Sequence, residues 1–308
     1  MTKKRKDPKK EYFKNEFIKR LNIIVRQEKP DIIIDVGSFI ATIVNKAIQE
    51  FPSIAHISMC HTDAYRCTKQ MNEEEINAWK KCDVVQVLMP SYIVPVKNIG
   101  IHNIVYIPNT VPQFVKENTT DLKTCHHTII NVGRVEGVQK RQHLLVRAFA
   151  KIADTYPDWK VKIYGEIDKN GYTNELQKFI SSYQLEDRII FCGTTKEIRK
   201  CLAQADIFAF SSAFEGFPLA LTEAMAMGLP AIGYRSCSAV NELIKHGENG
   251  FLCEDSIDDF ATKLEILIKN QELRIQMGAK AHEDMKEYAP NKIWDMWEEE
   301  IHRVTNKI

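Results

Sequence analysis

The chain has 308 residues, 44% of them hydrophobic, with 42 basic against 41 acidic side chains and a net charge of +1. That length accommodates two domains of ordinary size, and the near-even charge excludes a global field of the kind that draws a protein to nucleic acid. No apolar run reaches the roughly 18 residues of a membrane span, and the basic start does not continue into a signal-peptide pattern, so a cytoplasmic protein is expected.

In chain order, the first ten residues hold Lys3, Lys4, Arg5, Lys6, Lys9 and Lys10 against Asp7. A solvated terminus is the plain reading. Attraction to an anionic membrane surface is the functional one, because Tyr12, Phe13, Phe17, Ile18, Leu21, Ile24 and Val25 then recur at helical spacing. The same apolar residues could equally cover a neighbouring sheet. Residues 1–28 therefore carry an expected membrane-surface contact. The eight cysteines contain no Cys-x-x-Cys pair and several sit in apolar contexts, which predicts reduced, packed thiols rather than a zinc site or a disulfide frame.

Short apolar runs then alternate with helical stretches, the pattern of parallel α/β sheets. In the first part the spacing predicts helices over 11–28, 39–50 and 73–81, with strands over 31–36, 54–59, 84–88 and 104–107. Pro108-Asn109-Thr110-Val111-Pro112 breaks the pattern, and 116–123 has no apolar period, so a boundary is expected between 110 and 125. In the second part strands are predicted over 128–132, 160–164, 189–192, 207–210 and 231–233, with the clearest helices over 141–156 and 173–183. Such a doubly wound domain takes its ligand outside the carboxyl ends of its strands. Helices over 256–269, 272–286 and 291–304 close the chain.

The residues with chemical content lie at those strand ends. Asn131-Val132-Gly133-Arg134 ends the first strand of the second part, followed by Lys140 and Arg141. Gly133 allows the backbone to approach a diphosphate, and Arg134 and Lys140 supply positive charge where a leaving group becomes more negative. The chain has no Asp-x-Asp, so cationic side chains are expected in place of a metal ion. The strand over 207–210 runs into Ser211-Ser212-Ala213-Phe214-Glu215-Gly216-Phe217-Pro218, and a helical stretch through Glu223 follows. Pro218 suits a first helical position, and the free amides of that helix end attract phosphate. Two carboxylates beside a phosphate site make sense if each accepts hydrogen bonds from sugar hydroxyls, one on a ribose and one on a transferred hexose.

The run from Glu215 to Glu223 is similar to the glutamate–seven–glutamate signature of the retaining glycosyltransferases of group one, whose fold is called GT-B. The resemblance extends over about 11–305 and is strongest over 129–252. It implies two Rossmann-like α/β domains, the first shortened: an acceptor-side domain over 1–115, a donor domain over 116–288, and a final helix over 289–308 that packs on the first domain through Trp294, Met296 and Trp297. It implies that Glu223 holds the donor ribose, that Glu215 lies near the donor hexose, and that the amides of Gly216 and Phe217 meet the pyrophosphate. The turn at Gly193 would lie beside the base, and Asn249-Gly250-Phe251-Leu252 matches a recurrent family turn. The Gly-Arg…Lys element carries over to Gly133, Arg134 and Lys140 with one departure: the usual lysine position, six residues after the glycine, is Gln139. Lys140 one further on implies a one-residue insertion or a shifted role for Arg141. A histidine at the reaction centre carries over to His61, with Asp63 as its orienting partner and His56 as the weaker choice.

Relatives open with a strand and a Gly-Gly loop, and nothing of the kind precedes Asp31. Either the first domain is short or the chain lacks its opening segment, and an edge strand near 31–36 is expected to be exposed. The expected activity is metal-independent transfer of a hexose from a UDP-, GDP- or ADP-sugar to a saccharide or lipid-linked acceptor, with retention and without a bound cofactor. A catalytically impaired nucleotide-sugar-binding module assisting a partner transferase is the main alternative. A sugar-nucleotide epimerase fits the Arg…Lys and paired-glutamate elements less well.

Overall fold

The computed structural model describes residues 8–115, 119–167 and 171–306; the lysines and arginine at positions 3–6 lie outside these. The chain divides into two compact units, one made of the residues up to Pro108 together with those from Ile293, the other Asn109–Lys292.

The first unit runs α1 (Pro8–Glu28), β1 (Ile32–Val36), α2 (Ser38–Ala47), β2 (Ala55–Cys60), α3 (Ala64–Gln70), α4 (Glu73–Lys81), β3 (Val84–Val87), α5 (Ile93–Asn98) and β4 (Ile104–Tyr106). Its four strands are parallel in the order β1-β2-β3-β4. The short helices α3 and α5 were not legible as periodic stretches. α3 is set by its cap, Asp63 accepting from the amides of Tyr65 and Arg66 at its N-terminus, whereas α5 has no capping side chain. α4 is fixed by a capping box between Asn72 and Glu75. Helix α1 buries Val25 with Val44 and Ile48, against Leu21, Ile33 and Phe51, and Lys14 ties it to Glu74 of α4 at 2.8 Å. Strand β1 is an edge, and its outward residues Ile34 and Val36 are 42% and 53% exposed.

The second unit runs β5 (Thr128–Val132), α6 (Gln142–Ile152), β6 (Lys160–Tyr164), α7 (Tyr172–Ser182), β7 (Ile189–Gly193), α8 (Ile198–Ala203), β8 (Ile207–Phe210), α9 (Leu219–Ala226), β9 (Ala231–Tyr234), α10 (Val240–Leu243), β10 (Gly250–Cys253), α11 (Ile257–Lys269) and α12 (Gln271–Asp284). The sheet is parallel, ordered β10-β9-β8-β5-β6-β7. Residues 207–210 are buried throughout, as strands covered on both faces must be, which is why they read as unbroken apolar runs. Residues 250–253, expected as a turn, are a sixth strand. The turn belongs just before it, where the buried Asn249 accepts from the Lys245 amide. The polar stretch after 118 is no loose linker: Thr120 and Leu122 are buried, and the Thr120 amide donates to Met227.

Strand β5 lies between β6 and β8. The chain winds outward from β5 in both directions, so the loops leaving β5 and β8 part at the switch point of the sheet, where doubly wound folds hold ligands.

The last helix, α13 (Pro290–Thr305), buries Val304 against Ala55, Ile57 and Val84, with Trp297 packed alongside. Trp294 was expected among these packing residues but is 63% exposed, because it lies about a quarter turn round the helix from the stripe of Ile293, Glu300 and Val304 that is buried. None of the eight cysteines forms a disulfide.

Candidate active site

The donor-side residues singled out above lie in the second unit, Gly133, Arg134, Lys140, Gly193, Glu215, Gly216 and Phe217 at or just beyond the carboxyl ends of β5, β7 and β8, and Glu223 in α9. Three glycines end three neighbouring strands. The Gly133 amide donates to the Tyr164 carbonyl, and the Gly165 amide donates to the Gly193 carbonyl. A Cβ on Gly165 would lie 2.0 Å from the Gly133 carbonyl oxygen, so only glycine lets the ends of β5 and β6 close up. Gly193 has φ +69 and open space beside its Cα. The floor beyond β5, β6 and β7 is therefore bare backbone, which a flat ring or a phosphate can approach. Gly165 is not among the residues expected above; its signal is the strand–Gly pattern it shares with Gly133 and Gly193.

The loop after β5 carries the cations. Lys140 folds back over Gly133, whose Cβ would lie 3.4 Å from the lysine Cε. Its Nζ reaches Glu215 Oε1 at 2.6 Å and stands 5.4 Å above the Phe210 ring. Gln139, at the position where the resembled family has lysine, donates to the Phe214 carbonyl at 3.2 Å and to Glu215 Oε2 at 3.4 Å. The late lysine thus reaches the glycine and the glutamate despite its offset. Arg141 is spoken for differently. Its guanidinium donates to the carbonyls of Ser211 and Ser212, both at 3.1 Å, and lies 4.9 Å over the Tyr234 ring. It pins the end of β8, so the shifted-role alternative for Arg141 is not supported by its position. Arg134 is exposed, with its carbonyl accepting from Gln142 at 2.8 Å.

The loop after β8 presents the carboxylates. Glu215 is buried to 7% exposure between Lys140 and Gln139. Gly216 leads to Phe217, whose ring is buried edge-on to Tyr288 at 5.5 Å. Phe217 can therefore serve a ligand only through its amide. Helix α9 begins at Leu219, with Pro218 one position earlier than expected, as the residue before the first turn; the Pro218 carbonyl accepts from Leu221 and Thr222. The first amides of α9 have no carbonyl a turn earlier to bond, so they face outward. Glu223, a turn further on, is half-buried, and burial raises its pKa above the ordinary glutamate value.

In the first unit, His61 follows β2 at the surface, and the surrounding protein lowers its pKa by desolvation. Asp63 is buried and committed at least to the α3 cap. His56 is a core group: its Nε2 lies 2.6 Å from Asp35 and its Nδ1 3.1 Å from Asn45. Among the described residues no group of three His, Cys, Asp or Glu side chains is placed to hold a metal ion, and no helix is long and apolar enough to cross a membrane.

Two parallel Rossmann-like sheets, with a glycine-floored, cation-bearing switch point in the second, define a protein of GT-B architecture. Solved structures agree on the fold. Anabaena HepE in complex with UDP superimposes with a TM-score of 0.82 at 17% identity, over 93% of this chain and 82% of that one. Staphylococcus aureus TarM does so with a TM-score of 0.77 at 22% identity, over 90% and 56%. The family model for glycosyl transferases group 1 matches residues 116–284, and the chain belongs to that family. Among curated relatives, an uncharacterized glycosyltransferase of Haemophilus influenzae is 32% identical over 197 residues, 64% of this chain and 54% of its own. The N-acetyl-alpha-D-glucosaminyl L-malate synthase of Bacillus anthracis is 33% identical over 196 residues, 63% of this chain and 49% of its own. The chain thus spans about half the length of these curated relatives.

Proposed function

We propose that this glycosyltransferase moves a hexose from a nucleoside diphosphate sugar to a saccharide or lipid-linked acceptor, without a metal ion and with retention of configuration. The observation that carries the reading is the meeting of Lys140 with Glu215 at the β5–β8 switch point, beside the outward amides of α9. Breaking the sugar C1–oxygen bond leaves the electron pair on the distal phosphate. Lys140 and Arg134 would stabilise that charge together with the amides of Gly216 and Phe217. Glu223 would accept from the ribose hydroxyls, Glu215 would orient the hexose, and the Gly133–Gly165–Gly193 floor would leave room for the base. The family resemblance assigns His61, in the first unit, the role of the histidine near the transferred sugar. Retention is what the family resemblance implies.

A uridine donor is favoured, since HepE and TarM are described in complex with UDP. The curated relatives are named as transferases and synthases rather than as inactive modules, which favours turnover over the binding-only alternative. Eight thiols outside any disulfide support a cytoplasmic setting. The exposed Tyr12, Phe13, Phe17 and Ile24 of α1 support contact with a membrane surface. Sedimentation with anionic against neutral vesicles tests that contact, and equal recovery would remove it.

A panel of UDP-, GDP- and ADP-sugars, assayed for binding and for release of the nucleoside diphosphate, tests the donor reading. Absence of both with every donor would defeat it, and binding with no release in the presence of acceptor extracts would restore the binding-module alternative.

A further inference from the structure

The loop 136–141 is held by a carboxylate that no expectation above assigned. Glu136 Oε1 accepts from the amides of Gln139 at 2.8 Å and Lys140 at 2.7 Å, and its Oε2 accepts from Val138 at 3.1 Å. Three successive amides converge on one anionic side chain, the geometry of an anion-binding nest. The Glu136 carbonyl closes the loop from the other side, accepting from Arg141 at 3.0 Å. The Lys140 carbonyl is in turn gripped by the Ser211 hydroxyl at 2.7 Å, and the Gln139 carbonyl by the Ala213 amide at 2.7 Å. The backbone of Lys140 is therefore fixed at its amide by Glu136 and at its carbonyl by β8's exit loop, and its side chain leaves in the one direction that crosses Gly133.

Charge alone would make this arrangement unhelpful: a carboxylate in the loop that presents the phosphate-binding lysine repels a diphosphate. Its hydrogen bonds give it the opposite effect. By filling the nest, Glu136 keeps the amides of 138–140 from competing for the phosphates and spends them on the loop's shape.

We infer that Glu136 is a positioning residue whose carboxylate, seated in the Val138–Lys140 amide nest, holds Lys140 over Gly133 and so sets the affinity for the donor's diphosphate. The inference rests on the donor reading above. Three terms separate the roles. A purely electrostatic role for Glu136 makes Glu136→Ala bind diphosphate more tightly. A merely structural role weakens all nucleotides alike. A positioning role weakens the nucleoside diphosphate and spares the monophosphate, and does so only while Lys140 is present.

The test is calorimetric titration of the full chain with whichever of UDP, GDP and ADP binds the wild type, and with the corresponding monophosphate. Glu136→Ala is expected to weaken the diphosphate about tenfold and the monophosphate less than threefold. In the Lys140→Ala background the further loss is expected to be under twofold. Glu136→Gln, whose amide oxygen still accepts from Gln139 and Lys140, is expected to recover most of the affinity, and it keeps the test open if the alanine variant is poorly folded. Tighter diphosphate binding in Glu136→Ala, equal losses for both nucleotides, or independent effects of the two substitutions would each overturn the inference. If the wild type binds no nucleotide of the panel, the donor reading itself falls and takes this inference with it.

Discussion

Lys140 Nζ and Glu215 Oε1 stand 2.6 Å apart although 75 residues separate them, and both side chains are largely buried. The lysine proposed to meet the donor's diphosphate is thus seated against a carboxylate. The pair resolves the conflict of placing an acidic side chain beside a phosphate site, because Glu215 is neutralised locally and its second oxygen is bonded by Gln139.

Removing either partner has separable consequences. Lys140→Ala leaves Glu215 buried without its cation, so stability should fall by about 1–3 kcal/mol, and turnover should fall on the order of a hundredfold. Glu215→Ala should lower turnover comparably while leaving affinity for the free nucleoside diphosphate, which has no hexose, within a few-fold of wild type. Thermal melts, steady-state rates and titration with the diphosphate check this. Parallel loss of diphosphate affinity in Glu215→Ala would contradict the hexose role.

Glu223 trades stability for binding in a pH-dependent way. Burial raises its folded-state pKa above the unfolded value. At pH below the unfolded value both states are protonated and the side chain carries no charge penalty; as pH rises through the folded pKa, the wild type loses stability relative to a neutral isostere. Glu223→Gln should therefore melt higher than wild type at pH 7–8, with the difference vanishing near pH 4. It should also weaken donor binding by about 1–3 kcal/mol, through the hydroxyls left badly paired. Melting curves across pH together with donor titration decide it; an unchanged affinity would remove the ribose role.

The glycine floor makes a graded prediction. Gly165→Ala forces a Cβ to within 2.0 Å of the Gly133 carbonyl, so the ends of β5 and β6 must part, and both stability and donor affinity should fall. Gly193→Ala meets open space and carries only the cost of a positive φ, about 1–2 kcal/mol. A smaller loss for Gly165→Ala than for Gly193→Ala, measured by denaturant unfolding, would contradict the packing of the two strand ends.

Arg141 should behave as a structural cation. Arg141→Lys keeps the charge but loses the two-carbonyl grip on Ser211 and Ser212 and the stacking on Tyr234. It should reduce stability by about 1–2 kcal/mol while affecting diphosphate affinity less than Lys140→Ala does. The same calorimetric and melting measurements apply, and a diphosphate loss equal to that of Lys140→Ala would return Arg141 to the phosphate site.

The amino-acid sequence by itself determined the parallel α/β character and nearly every strand of the second unit. Buried parallel strands read as apolar-rich runs, as Ile207–Phe210 does, and each run here is bracketed by glycine, proline or polar residues. It determined too that Gly133 ends a strand, that Glu215 and Gly216 lie on a strand-to-helix loop and that Glu223 lies in the helix after it, since the strand-to-helix order is local. The short helices α3 and α5, the strand β10 hidden behind Asn249-Gly250, and the solvent-facing side of Trp294 were not legible, because fewer than two turns carry no period and an Asn-Gly pair reads as a turn wherever it falls. Only the tertiary structure decided which cation meets which carboxylate. Gln139, Lys140 and Arg141 are three adjacent polar residues with near-equal claims in one dimension. The Glu136 nest and the β8 exit loop send Gln139 and Lys140 to the two oxygens of Glu215 and Arg141 to the carbonyls of Ser211 and Ser212, a choice made by hydrogen bonds between segments far apart in the chain.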